Sequence, residues 1–356
     1  MIWAIASKDI ADALKNWVIA STLVIVLLMV AFYKFLPVIT GMAHLPEVDI
    51  VDLGQWDLAT YLESSPNLAA RQVASQEEMA TFVVMEGVPA LGLVVPVDFD
   101  AQVAAGSPVA LDGYVQHWVS DAAAAELRAK VEQEITISTG QPVRIQLEGH
   151  ELYPALASMG PHSWAVLSIV VALALLGLSL TPQLMFEEKR TRTMDAILVS
   201  PASSGHIVAG KALAGLFFCL IGAALVLAFN AALIVQWGFA ILALVLGGYL
   251  SVAIGLLFGI TLQTPQSLRL WSMVVILPLF ILPVVLSSMA MDLPPAVNTV
   301  VRWFPTTAIS RLFILSMTRS APFAEWGADV AVALGAIAIF LTVVAWLVRR
   351  SDRLKE

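Results

Sequence analysis

Residues 212–235 read ALAGLFFCLIGAALVLAFNAALIV, an apolar run without a single acidic or basic side chain. An α-helix rises about 1.5 Å per residue, so this run is long enough to cross the roughly 30 Å of hydrocarbon in a bilayer. The composition agrees, because 59% of the 356 residues are hydrophobic and only 13% are charged, unlike in a soluble domain. The chain is therefore predicted to be a membrane protein.

Further apolar runs of similar length lie on both sides of this one, at about 17–36, 164–185, 238–262, 270–290 and 328–348. The first is too long for a signal-peptide core and lacks a persuasive small-residue cleavage site, so it is predicted to remain as an anchor. The predicted fold class is a membrane all-α bundle of six transmembrane helices with an inserted mixed α/β extracytoplasmic domain.

The distribution of lysine and arginine predicts the orientation. With the N-terminus inside, the outer segment 41–162 carries few bases beside a large acidic excess, and the inner segments are basic. Both termini are therefore predicted to be cytoplasmic, and the net charge of −8 arises outside. The inner bases are Lys8, Lys15, Lys189, Arg190, Arg192, Lys211, Arg269, Arg349, Arg350, Arg353 and Lys355. The bases of the outer segment 41–162 are Arg71, Arg128, Lys130 and Arg144.

The N-terminal stretch has the pattern of a helix that lies on a membrane surface. Apolar Ile2, Ile5 and Ile10 alternate with charged residues at helical spacing, although a plain cytosolic tail stays open as an alternative. The predicted parts of the chain are the amphipathic interfacial helix 1–16, the first transmembrane helix 17–40, the extracytoplasmic domain 41–162, the remaining five-helix membrane part 163–349 and the cytoplasmic tail 350–356.

The outer segment changes to short alternating patterns. Residues 47–53, 90–97, 108–116 and 142–149 are predicted strands, and residues 121–138 are a predicted helix with Asp121 as its N-cap. The only cysteine of the chain, Cys219, falls inside a span, so this domain must be held by its core rather than by disulfides.

Residues 205–212, GHIVAGKA, imitate a phosphate-binding loop. Such a loop needs a buried strand before it, a helix N-terminus after it, and a hydroxyl for Mg²⁺ after the lysine. Ala212 stands at the hydroxyl position, and the preceding SPASSG contains proline and small polar residues. We therefore expect no nucleotide, cofactor or metal site on this chain. Lys211 is expected to mark a cytosolic boundary from which its side chain reaches the lipid headgroups.

The stretch before Lys211 is densely charged. Residues 186–208 read FEEKRTRTMDAILVSPASSGHIV, in which Met194, Ile197 and Leu198 fall on one side of a helix. Pro201 is predicted to end this short amphipathic helix. A solvated loop whose bases only set the topology remains an alternative.

This stretch resembles the signature E-(K/R)…G-T-(L/M)-E…L…(T/S)-P…G-K of the permease subunits of type-2 ATP-binding-cassette (ABC) exporters. Arg192 departs from the signature, which generally has glycine there. The large domain after the first span resembles the sodium- and drug-exporting branch of this family. The stretch LPPAVNTVVRWFPTTAISRLF is similar to the outer re-entrant helices of the family, which it would place at about 292–316. The matching positions are Glu188-Lys189, Thr193-Met194-Asp195, Leu198, Ser200-Pro201 and Gly210-Lys211.

The resemblance implies a cytoplasmic coupling helix at about 187–201 that docks into a separate ATPase subunit. Two permease copies would pair, ATP and Mg²⁺ would bind on the partner ATPase, and the chain itself would not be an enzyme. The implied location is the plasma membrane of a bacterium or archaeon, with no nucleic-acid partner. The residues expected to dock are Glu187, Glu188, Lys189, Arg190, Thr193, Met194, Asp195, Leu198 and Pro201.

Inside the membrane, Ser251, Gly255 and Gly259 form a small-residue ridge for close helix packing, within one chain or between two. Pro278 and Pro283 are expected to kink the fifth span. No acidic or basic residue is expected deep in a span, so Asn230 is the main candidate for a polar residue of a pathway. This favours drug, lipid or peptide-like cargo, while a Na⁺ path of hydroxyls and carbonyls stays open.

Two other classes of function are a zinc enzyme and a sensory subunit. His150, Glu151 and His162 do not have the spacing of a compact zinc site, so surface positions are expected for them. A sensory or mechanotransmitting subunit, whose outer domain binds a ligand without a transport conduit, remains the alternative to a transporter.

Overall fold

The computed structural model describes residues 2–13, 21, 24–28, 31, 45–54, 58–107, 109–155, 160–191, 204–288 and 294–353. The chain divides into two compact units, one formed by Met1–Leu36 with Trp164–Glu356 and the other by Pro37–Ser163. The predicted first transmembrane helix, 17–40, lies largely outside the described residues. The first helix, α1, covers Ile2–Ala13.

The unit Pro37–Ser163 is built on a mixed six-stranded sheet. The strand order is β2-β1-β3-β4-β5, β6 pairs with β4, and only β3 and β4 are antiparallel. The strands are β1 (Glu47–Asp52), β2 (Ala69–Gln72), β3 (Ala90–Val95), β4 (Val109–Gln116), β5 (Val143–Gln146) and β6 (Glu151–Leu152). The helices are α2 (Leu58–Glu63), α3 (Gln76–Met85), α4 (Phe99–Ala104) and α5 (Asp121–Thr139).

The four predicted strands are confirmed as β1, β3, β4 and β5, and the predicted helix is α5. Strand β2 was not predicted, because AARQ is a mostly exposed edge strand without apolar alternation. Strand β6 has two residues, too few to form a pattern.

The predicted N-cap of α5 is wrong by one residue. Ser120 has the extended backbone of a cap, and its side chain accepts a hydrogen bond from the backbone N–H of Ala123. Asp121 is instead in the first helical turn, where its negative charge is favourable beside the unpaired N–H groups.

The sheet buries apolar side chains on both faces. Val48 and Ile50 of β1 pack with Leu58 and Phe99 on one face, whereas Val51 packs with Met79, Val83 and Ala90 on the other. Burial of each large apolar side chain contributes roughly 1.5–3 kcal/mol, so this core holds the unit together.

Five helical segments among the described residues are long and apolar enough to cross a membrane. They correspond to five of the six predicted spans, and the remaining one is the run 17–36. The first four segments are α6 (Pro161–Thr191), α7 (Ser204–Phe229), α8 (Trp237–Thr261), and α9 (Pro265–Ile276) continued by α10 (Leu282–Ser288). The fifth is α13 (Phe323–Arg353). Two shorter helices, α11 (Pro295–Arg302) and α12 (Pro305–Leu315), lie between α10 and α13 in the chain.

Between α9 and α10 the hydrogen-bond pattern changes, and Leu277–Ile281 is π-helical. Pro283 has no N–H to offer the carbonyl of Leu279, four residues earlier. The hydroxyl of Thr306 in α12 donates to that carbonyl instead. Because an unpaired carbonyl is costly in an apolar environment, α12 supplies the hydrogen bond that the proline removes.

Candidate functional site

The predicted docking stretch begins inside a span helix. Helix α6 runs as one helix of 31 residues to Thr191, so Glu187, Glu188, Lys189 and Arg190 lie near its end. Helix α7 begins at Ser204. The other predicted docking residues, Thr193, Met194, Asp195, Leu198 and Pro201, lie outside the described residues.

The stretch GHIVAGKA is part of helix α7. A phosphate-binding loop needs its backbone N–H groups free to point at the phosphates, whereas an α-helix uses them internally beyond its first turn. The geometry therefore disfavours a nucleotide site here, as the missing hydroxyl at Ala212 does.

The expectation that Lys211 reaches out to the lipid headgroups is wrong. The residue is only 2% exposed. Its Nζ lies 3.2 Å from Oδ2 of Asp9 and donates a hydrogen bond of 2.8 Å to the backbone carbonyl of Leu184. Helix α1 packs over the start of α7, so the lysine is enclosed by α1, α6 and α7.

Gly210 explains how α1 comes so close. A Cβ atom at this position would lie 2.6 Å from Cγ2 of Ile5, closer than non-bonded carbon atoms approach. The glycine admits helix α1, and the neighbouring lysine then meets Asp9. We call Asp9, Leu184, Gly210 and Lys211 the N-terminal clamp. The Gly-Lys pair was visible in the sequence, but its partner Asp9 is 202 positions away, and no local pattern joins them.

A second, partly buried ion pair joins α12 to α13. Nε of Arg311 lies 3.0 Å from Oδ2 of Asp329, and the two side chains are 19% and 4% exposed. Asp329 and Lys211 both lie within helices long enough to span the membrane, although near their ends. These two charges therefore do not contradict the prediction that no acidic or basic residue lies deep in a span.

The small-residue ridge of α8 faces α6 of the same chain. A Cβ at Gly255 would overlap the carbonyl oxygen of Gly177, and Gly259 lies against the side chain of Met185. Ser251 packs on Gly177 from the same face. Each glycine thus allows the two helices to approach closely.

The candidate pathway residue Asn230 follows the last residue of α7. Its side-chain amide donates a hydrogen bond of 2.9 Å to the carbonyl of Val226. It therefore satisfies one of the carbonyls that a helix leaves without an internal partner at its C-terminus.

The α/β unit contains a cluster of charged groups that sequence analysis missed. Nη2 of Arg71 lies 2.6 Å from Oδ1 of Asp49 and 3.5 Å from Oε1 of Glu86, and its guanidinium lies 4.0 Å above the ring of Phe82. Burial, with a hydrogen bond to Glu86 and repulsion from it, raises the pKa of Glu47 to about 7. Burial also raises the pKa of Asp49, against the attraction of Arg71.

His150 and His162 lie in different surroundings. Among the described residues, no group of three or more His, Cys, Asp or Glu could hold a metal ion. The ring of His150 stacks on Tyr114 with centroids 4.6 Å apart. His162 is 3% exposed, so its expected surface position is wrong; it lies at the start of α6.

Several long apolar helices, with a mixed sheet inserted before α6, define a multi-pass helical membrane protein. The family model of the ABC-2 family transporter proteins matches residues 16–349. The chain therefore belongs to the ABC-2 transporter family, the membrane components of ABC transport. No curated protein and no solved structure matches the chain.

Proposed function

We propose that this chain is the permease subunit of an ABC exporter, which pairs with a second copy and forms the path for the substrate. The family match over residues 16–349 carries this proposal. ATP and Mg²⁺ bind on a separate cytoplasmic ATPase, and each permease copy docks one ATPase through the coupling segment at about 187–201. The first residues of this segment belong to helix α6, which also forms a span. This continuity supports a mechanical connection between the coupling segment and the membrane helices.

The N-terminal clamp supports this coupling. Helices α6 and α7 bound the docking segment, and Lys211 of α7 is hydrogen-bonded to Leu184 of α6 and paired with Asp9 of α1. A displacement of the segment would therefore move the three helices together. The binding energy released when the ATPases close on ATP would in this way shift the equilibrium between inward-open and outward-open arrangements of the spans.

The proposed orientation has both termini in the cytoplasm of a bacterial or archaeal cell and residues 41–162 outside. It rests on the bases near α1, the docking segment and the end of α13. Helices α11 and α12, over the predicted region 292–316, would then lie towards the outer side.

The proposed cargo is a hydrophobic or amphipathic compound such as a drug, lipid or peptide, with Na⁺ as the second candidate. The buried Lys211 and the partly buried Arg311 of the membrane unit are each paired with a carboxylate. Paired charges near helix ends contribute to helix packing, whereas a charged ion relay needs ionisable groups along the path.

The test is to reconstitute the chain with its partner ATPase in vesicles and to measure ATP hydrolysis. An exporter should respond to its cargo, so hydrolysis should rise with a drug-like amphiphile or with Na⁺, and the stimulating compound should cross the membrane. The sensory alternative would be supported if the ATPase docks normally and its hydrolysis responds to a ligand of the outer domain, but no solute crosses the membrane.

A further inference from the structure

A groove of about 670 Å³ lies between helices α7, α8 and α13, and its lining includes Ile2 of α1. Helices α7 and α13 both pack on α8, and the groove is the space between them. Small residues on the three facing sides create it: Gly205, Ala209 and Ala212 of α7, Ala253 of α8 and Ala345 of α13. The volume is in the range of roughly 300–1,000 Å³ that small-molecule sites occupy.

The length of the groove matches one leaflet of a bilayer. Along α7 its lining extends from Gly205 to Leu216, which corresponds to roughly 16 Å of helix. The hydrocarbon core of a bilayer is roughly 30 Å thick, so the groove is about half as long. An extended acyl chain of one leaflet therefore fits its length.

The groove is charged at one end only. Two spans separate α7 from α13, so these helices cross in opposite directions, and Gly205 and Arg349 lie at the same end. Arg349 is the only charged residue among the described lining residues. Next to it, the guanidinium of Arg350 lies 5.3 Å from the ring centre of Trp346, which is 56% exposed. Exposed Trp and Arg side chains are typical of the headgroup level.

We infer that this groove binds one acyl chain of an anionic phospholipid, with Arg349 pairing with the headgroup phosphate. The apolar lining matches the acyl chain, and the guanidinium fork matches phosphate oxygens. The lipid is a resident of the leaflet that meets the docking side of the protein. This site does not depend on the identity of the transported cargo.

Photolabelling of the full chain tests the site. The chain is placed in phosphatidylcholine vesicles that contain a trace of phosphatidylglycerol with a photoreactive group in its acyl chain, and labelled peptides are identified by mass spectrometry. Labelling is expected in residues 205–216 and 341–349. Excess phosphatidylglycerol should suppress it, and excess phosphatidylcholine should not. Arg349→Gln should reduce labelling about fivefold, the size of the attraction between one basic side chain and anionic lipid.

Matched variants separate the site from general lipid contact. Arg350→Gln removes the neighbouring arginine and should leave labelling near the wild-type level. Ala345→Phe fills the groove and should abolish labelling, whereas Ala338→Phe changes an exposed alanine of the same helix and should not. Equal competition by both lipids, or equal effects of the two arginine variants, would overturn the inference. So would a disulfide between two copies of the Ala345→Cys variant without lipid labelling, because the groove would then be a contact between copies.

Discussion

Lys211 is a cation enclosed by three helices, and this enclosure determines what it contributes. Removing an ammonium group from water is unfavourable unless a charge partner and hydrogen-bond acceptors replace the water. Asp9 and the carbonyl of Leu184 provide these replacements. Because the lysine depends on both, it fixes the position of α1 and of the end of α6 relative to α7.

Lys211→Met should lower the free energy of unfolding by about 3–5 kcal/mol, since Asp9 would remain buried without its cation. The double variant with Asp9→Asn should be less destabilised than Lys211→Met alone. Lys8→Met, which changes an exposed lysine of α1, the helix that carries Asp9, is the control. Thermal unfolding in lipid nanodiscs compares the variants, and equal midpoints for Lys211→Met and Lys8→Met would count against the clamp.

Glu47 should make the α/β unit less stable as pH rises. Its pKa is about 7 in the folded unit against an ordinary value of 4.5, so the folded unit holds the proton more tightly than the unfolded chain. The stabilisation is complete below about pH 4.5 and is lost as pH rises through about 7. The charged groups around Glu47 are Asp49, Glu86 and Arg71.

Pulse proteolysis of the full chain over this pH range measures the effect. Glu47→Gln resembles the protonated residue and should flatten the pH dependence of cleavage within the unit. Glu77→Gln, which changes an exposed carboxylate of α3, should keep the wild-type dependence. If the cleavage of the Glu47→Gln variant depends on pH as in the wild type, the pH dependence of stability arises from other groups.

At the scale of elements, hydropathy located five described spans and apolar alternation located four strands, because both patterns are local. The other features of the fold are defined by contacts between residues that are distant in the sequence. The predicted third span begins at 212 because Lys211 is typical of the residues that flank a membrane span, but α7 begins at Ser204. Asp9 neutralises the lysine, so the helix can bury it. In the same way, β2 has no apolar pattern of its own and is defined by its pairing with β1.

The contact between α8 and α6 should not tolerate a larger residue at Gly255. Gly255→Leu would overlap the backbone of Gly177, and overpacking of this kind costs about 1–3 kcal/mol or more. Gly335→Leu in α13, where no atom lies within 4 Å of an added Cβ, is the control. We expect a lower thermal midpoint for Gly255→Leu only; equal midpoints would indicate that α6 and α8 separate easily.

The proposed docking segment can be tested at Met194, on its predicted apolar side. Met194→Asp places a charge where an apolar contact with the ATPase is expected, so cargo-stimulated ATP hydrolysis should be lost while the permease stays folded. Met85→Asp changes an exposed methionine of the α/β unit and should leave stimulation intact. Unchanged coupling in vesicles that contain the Met194→Asp variant would exclude this residue from docking.

For the whole molecule, the distribution of charge predicts which unit faces the cytoplasm. The acidic segment 41–162 has only four Lys or Arg residues, whereas the much shorter docking segment has three and the end of α13 has three more. Positive residues are retained on the cytoplasmic side during membrane insertion. The α/β unit, with its proton-binding Glu47, would therefore experience the pH outside the cell.

This orientation can be measured because the only cysteine of the chain is buried in α7, which leaves a low background for thiol labelling. Ser107→Cys introduces an exposed thiol in the α/β unit, and Ser7→Cys introduces one in α1. A membrane-impermeant maleimide should label the Ser107→Cys variant in intact cells, and the Ser7→Cys variant only after permeabilisation. The unsubstituted chain should stay unlabelled in both conditions. The reverse pattern would place the docking segment outside the cell, where no cytosolic ATPase could reach it.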